Sequence, residues 1–182
     1  MKSKCEPDDA RAFLKKQIRE IPDFPQKGVI FRDITTLLQQ PEALHMAADL
    51  LYERFKDQGF TKVVGIESRG FMLGSILAYR LGAGFVPIRK KGKLPSGKLS
   101  RTFHLEYGYD VIEMHVDALS PDDKVLLHDD LLATGGTTWA ALDLIKSTGV
   151  REMSACYLIE LTELGGRRRL PANCDIESLI TF

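Results

Sequence analysis

Cysteine is scarce in this chain: Cys5, Cys156 and Cys174 are the only three in 182 residues, with no CxxC and no histidine pair nearby. An odd, scattered count argues against a disulfide framework or a thiolate zinc site and suits reduced thiols in the cytoplasm. Long apolar runs are missing too. None approaches the roughly 18 residues of a membrane span, and MKSKCEPDDARAF lacks the apolar core of a secretory signal. Net charge is absent, since 25 Lys and Arg balance 25 Asp and Glu. A neutral chain without a recognised nucleic-acid motif is a poor candidate for nucleic-acid binding, so neither nucleic acid nor membrane is expected as a partner. Repeats, low-complexity tracts and linkers are also lacking, and the composition (44% hydrophobic, 27% charged) is that of a globular domain.

Charge is nevertheless uneven. Residues 89–101, RKKGKLPSGKLSR, carry six basic side chains and no acid. Taken alone, such a run is usually a solvated loop. A small polyanionic substrate would also be concentrated by it.

Apolar strand-like runs alternate with helical patterns. After a Pro-marked connector, IPDFPQKGVIFRDITTLL gives way to PEALHMAADLLYERFKDQG, which reads as a helix with Pro41 in its first turn and Gly59 as its stop. KVVGIE, GFVPI, KVLLHDD and SACYLIE read as strands; RGFMLGSILAYRLG and TTWAALDLIKSTG read as helices between them. TFHLEYGYDVIEMHV reads as a two-stranded excursion turning at Tyr107-Gly108-Tyr109. This alternation predicts an α/β fold, a single domain over residues 1–182, with a central, mostly parallel twisted sheet flanked by helices. A small N-terminal hood (1–34) and a basic, flexible lid loop with a hairpin (89–117) complete the expected layout.

In such sheets ligands bind beyond the carboxyl ends of strands, and KVLLHDDLLATGGTTWAALDLI ends its strand there. Ala133, Thr134, Gly135, Gly136 and Thr137 lie between strand and helix, where glycines allow tight turning and backbone amides converge with the positive helix end. Neither GxxxxGK[ST] nor GxGxxG is present. A glycine pair alone would be an ordinary turn. Asp129 and Asp130 change that, because two adjacent buried carboxylates are costly without partners. A vicinal diol would satisfy them, and a divalent metal held by the ligand would help. Phosphate at one end and a diol nearby describe a ribose 5-phosphate. With a second anion on the basic stretch and magnesium, the ligand becomes phosphoribosyl pyrophosphate.

VLLHDDLLATGGT resembles the substrate signature of the type I phosphoribosyltransferases. IPDFPQKGVIFRDIT, GIESRGF, RKKGKLP, LEYG and DALSPDDKV are similar, in order, to blocks of the adenine phosphoribosyltransferases, covering about residues 21–164. The resemblance implies a purine-salvage transferase that converts adenine and phosphoribosyl pyrophosphate into AMP and pyrophosphate. It further implies Mg²⁺ as cofactor, carried mainly by the substrate with no dedicated protein metal site, a homodimer and a cytoplasmic location. Residue by residue, it implies that Arg69 and Lys90 contact pyrophosphate. It also implies that backbone around Ile30 and Arg32 reads adenine, with Phe31 and Leu131 sandwiching the ring. Glu67-Ser68 is expected to be a cis peptide. Glu106, in LEYG, is the expected general base, and residues 91–102 the loop that closes over the substrates. A transferase for 6-oxopurines and a non-catalytic effector-binding sensor are the competing expectations.

Overall fold

The carboxyl end of one strand organises this molecule, a computed structural model that describes residues 7–104 and 108–182. The chain divides into two compact units, one up to Leu50 and one over Leu51–Phe182.

In the first unit, α1 (Pro7–Lys16) is followed by strands β1 (Arg19–Pro22) and β2 (Ile30–Asp33), then α2 (Thr35–Gln39) and the start of α3 (Pro41–Phe55). Ala10, Leu14 and Ile18 recur at helical spacing and are buried. β1 and β2 pair antiparallel, Arg19 opposite Asp33. The PDFPQKG connector folds back because Asp23 adopts a left-handed φ of 58° and its carboxylate accepts the Gly28 amide at 2.7 Å. Asp33 terminates the hairpin. Its carboxylate accepts the Thr35 hydroxyl (2.7 Å), the Thr35 amide (2.9 Å) and two Arg19 nitrogens. These bonds, the Thr35 hydroxyl first, pull its pKa down to about 2.

In the second unit, β3 (Lys62–Ile66), β4 (Gly84–Lys90), β5 (Lys98–His104), β6 (Tyr109–His115), β7 (Lys124–Leu132), β8 (Glu152–Glu160) and β9 (Asp175–Thr181) form one sheet. Its order is β5-β6-β4-β3-β7-β8-β9. The five strands from β4 to β9 are parallel, and the β5-β6 hairpin pairs antiparallel at one edge. α4 (Gly70–Leu81) links β3 to β4, and α5 (Gly136–Lys146) links β7 to β8. The chain thus leaves β3 toward one edge and β7 toward the other, which makes the gap between these strands the switch point of the sheet. The parallel strands are nearly continuous apolar runs, as burial on both faces requires.

Each expected strand and helix of this unit is present, and Gly82 ends α4 in a left-handed conformation, φ 66°. Two features were not read from the sequence. The tail CDIESLITF, which has no obvious pattern, is the edge strand β9, parallel to β8. The stretch 91–102, expected to close over the substrates, is not all loop, because residues 98–102 belong to β5. Its remaining span, 91–97, has an apolar anchor, buried Leu94. Buried Glu113 also accepts the Gly92 amide and the Lys98 ammonium, both at 2.9 Å. Apart from Leu94, every residue of 91–97 is exposed. Among the described residues no helix is long and apolar enough to cross a membrane.

His128, just before the two acids, is fully buried on the α4 side of β7, its Nδ1 3.3 Å from Cys156 Sγ. Burial drives its pKa down to about 4. The native state therefore refuses a proton that the unfolded chain accepts between about pH 6.5 and 4, so His128 destabilises the fold as pH falls through that window. The full effect is roughly 3 kcal/mol. His128→Leu is expected to flatten the acid-side decline in Tm between pH 7 and 5. Parallel Tm profiles for parent and variant would show that His128 is not the titrating group.

Candidate active site

β7 outlasts its neighbour. Its pairing with β3 stops at Gly65 opposite His128, so Asp129 and Asp130 lie beyond the last paired residue of β3. The turn that follows β3 fills part of this gap. Glu67-Ser68 is a cis peptide, as expected, and Arg69 ends the turn just before α4. Gly70 begins that helix under tight constraint. A Cβ there would lie 2.8 Å from the His128 carbonyl oxygen and 2.9 Å from Asp129 Oδ1, so only glycine lets the helix start this close to the acids.

The acids are held differently. Asp129 Oδ1 accepts the backbone amide of Asp130 at 2.9 Å. Asp130 Oδ2 lies 3.1 Å from Arg69 Nε, an ion pair whose N–H does not point at the oxygen, so this buried oxygen accepts no hydrogen bond. Burial raises both carboxyl pKa values. For Asp129, close packing outweighs its residual solvent contact and repulsion by Asp130 adds to the rise; for Asp130, Arg69 pulls the other way. An unliganded pair of this kind favours retaining a proton, and donors from a ligand would favour releasing it.

Opposite the acids, Glu67 accepts the Arg89 guanidinium through both oxygens (3.0 and 3.4 Å) and the Lys90 amide at 2.8 Å. That brace fixes the end of β4 against the cis turn. Lys90 is exposed, its Nζ 3.6 Å from Asp110 Oδ2. Arg69, Lys90, Asp129, Asp130 and Thr137 line a single cavity of about 290 Å³. Beyond β7, residues 133–135 bend into α5, and Gly135, φ 80°, is the residue before its first turn. Gly136 and Thr137 begin the helix, where first-turn amides and the helix dipole suit an anion.

One hydroxyl of the loop region serves structure instead. Thr138 is buried and accepts the Tyr157 hydroxyl at 2.9 Å, pinning the first turn of α5 to β8. Nothing in the local sequence signals this bond, nor the Glu67–Arg89 brace, because each joins residues far apart in the chain. Leu131 is half-buried on β7. Ile30, Phe31 and Arg32 lie on β2 in the first unit. There Ile30 is 49% exposed, Phe31 packs edge-on against Phe24 with ring centroids 5.3 Å apart, and Arg32 pairs with Glu20. Glu106 falls outside the described residues. Among the described residues no group of three or more His, Cys, Asp or Glu could hold a metal ion.

Paired acids at a switch point, followed directly by a helix start, place a candidate ligand site where open α/β sheets carry theirs. Residues 33–178 match the family model described as phosphoribosyl transferase domain. The chain is 53% identical over 164 residues to the adenine phosphoribosyltransferase of Shewanella pealeana, covering 90% of each chain. The crystal structure of adenine phosphoribosyltransferase from Rhodothermus marinus superposes with a TM-score of 0.91 at 51% identity, over 96% of this chain and 99% of that one. The enzyme from Giardia lamblia, complexed with 9-deazaadenine, gives a TM-score of 0.89 at 43% identity, over 98% of both chains. The chain belongs to the phosphoribosyltransferase family and, within it, to the adenine phosphoribosyltransferases.

Proposed function

We propose that this protein transfers the 5-phosphoribosyl group from phosphoribosyl pyrophosphate to adenine, releasing AMP and pyrophosphate. The observation that carries this reading is the convergence of Asp129, Asp130, Arg69, Lys90 and Thr137 on one cavity at the end of β7. In it, Thr137, the Gly135 and Gly136 backbone and the neighbouring Ala133 and Thr134 take the 5′-phosphate. Asp129 and Asp130 accept hydrogen bonds from the ribose hydroxyls. As the bond from C1′ to pyrophosphate stretches, positive charge develops on the sugar and negative charge on the leaving group. Arg69 and Lys90 stabilise that negative charge where it grows. Glu106 takes the proton that adenine loses, and residues 91–97 restrict water at the activated sugar. Ile30, Phe31, Arg32 and Leu131 are the proposed adenine contacts.

The residues present suit magnesium carried by the substrate. The two carboxylates line the cavity, and Mg²⁺ ordinarily keeps waters and substrate phosphate oxygens as ligands. When bound, the ion would neutralise charge on the pyrophosphate. A cytoplasmic homodimer is part of the same proposal; light scattering at working concentration tests its oligomeric part.

A spectrophotometric assay of adenine, hypoxanthine and guanine with phosphoribosyl pyrophosphate separates the alternatives. Turnover of adenine alone is expected. Preference for either 6-oxopurine would reassign the substrate, and binding of phosphoribosyl pyrophosphate without turnover of any base would indicate a sensor.

A further inference from the structure

The phosphate-binding turn is shaped from behind by a segment thirty residues further along the chain. Residues 133–135 lie against Gly166, a buried glycine that opens the 3-10 turn Gly166–Arg169. A Cβ added at Gly166 would stand 2.1 Å from the Ala133 carbonyl oxygen and 2.9 Å from the Gly135 amide nitrogen. A Cβ added at Gly135 would meet the Gly166 carbonyl oxygen at 2.5 Å. Backbone therefore touches backbone, with no flexible side chain between to absorb a change. Gly166 is not among the glycines with left-handed φ, so space alone excludes a side chain there.

The Gly166 segment is the less yielding partner. Arg167 donates to both Glu160 oxygens, from Nε at 3.1 Å and Nη2 at 2.6 Å, and to the Ile176 carbonyl at 2.6 Å. Ser178 donates to the same Glu160 carboxylate at 2.8 Å. Glu160 is buried at the end of β8, while Ile176 and Ser178 belong to β9. A bidentate guanidinium–carboxylate pair combines strength with fixed geometry, so the edge of the sheet holds Gly166 in place.

We propose that Gly166, held by the Glu160–Arg167 pair, is a positioning residue that sets the shape of the 5′-phosphate loop and hence affinity for the phosphate end of the sugar substrate. The inference rests on residues 133–137 being that loop. Gly166 touches no substrate; it acts through the Ala133 carbonyl and the Gly135 amide. A methyl group at residue 166 displaces the loop and misaligns its amides, while the pyrophosphate groups Arg69 and Lys90 are untouched.

Calorimetric titration of the whole protein with ribose 5-phosphate and, separately, with magnesium pyrophosphate tests this. In Gly166→Ala, affinity for ribose 5-phosphate is expected to fall by about tenfold or more, since displacements near 1 Å have effects of this order. Pyrophosphate affinity is expected to stay within about twofold, with KM for phosphoribosyl pyrophosphate raised much more than kcat is lowered. Equal ribose 5-phosphate affinity in parent and variant, or an equal loss for both ligands, would overturn the proposal. If the parent binds pyrophosphate but not ribose 5-phosphate, the loop assignment fails and takes this inference with it. Arg167→Lys decides the matter should Gly166→Ala not fold. It keeps the charge beside Glu160 but gives up the bidentate fork, and a selective loss for ribose 5-phosphate is again expected. An unchanged affinity there would refute the brace.

Discussion

Glu106→Gln is expected to lower kcat by about 10²- to 10⁴-fold, the usual cost of losing a general base, with little change in affinity for phosphoribosyl pyrophosphate. Adenine must shed a proton as its ring nitrogen bonds to C1′, and a carboxylate near the base is suited to receive it. Glu106 lies outside the described residues; in the sequence it falls between Phe103 and Asp110, both of which line the cavity. Glutamine keeps the length and one acceptor oxygen but cannot take the proton. In the parent, kcat/KM should fall on the acidic side as the base becomes protonated, and that limb should vanish in the variant. A loss of only severalfold, or an acidic limb that persists, would assign the proton to another group and leave Glu106 a positioning role.

Asp129→Asn is expected to separate stability from binding. Burial, then repulsion by Asp130, raises the Asp129 pKa in the folded state. A raised carboxyl binds more protons folded than unfolded, so stability falls as pH rises from the unfolded value near 4 through the folded value. Above that window the penalty is complete. The variant should therefore melt higher than the parent at pH 8, by a margin that shrinks toward pH 4. Binding should move the other way. Hydrogen bonds to a charged group contribute about 1.5–3 kcal/mol, so loss of the charged acceptor should weaken phosphoribosyl pyrophosphate by about 10- to 150-fold. Asp130→Asn should weaken binding similarly. Its stability gain should be smaller, because Arg69 already offsets part of the burial penalty there. A variant that binds as tightly as the parent would remove the acids from the ribose site. One that melts lower at pH 8 would mean the pair is not strained when empty.

The two acids and the turn after them were legible in the sequence because their geometry is local. Strand, carboxylates, glycines and helix start are consecutive, and a strand followed directly by a helix presents them at the end of the sheet. The long parallel strands were legible for a similar reason, since burial on both faces leaves an apolar run. The edge strand β9 was not, because its half-buried pattern carries a weaker signal. The basic loop was misjudged in extent. Composition records that Lys91, Lys93 and Lys98 are charged; it cannot record that Glu113, from β6, holds Gly92 and Lys98.

Sequence alone determined which chemical groups this protein has available and their order: two acids, an amide-rich turn, a basic stretch and an apolar alternation that permits one class of sheet. Tertiary structure decided which of them meet. Arg69 reaches Asp130, Glu67 holds Arg89, Tyr157 ties down Thr138, and Gly166 supports Ala133 and Gly135. Each of these contacts spans a loop whose closure has no local signature. A glycine required by a neighbour thirty residues away looks, in one dimension, like any other glycine, because the constraint resides in the space around it and not in its own backbone angles.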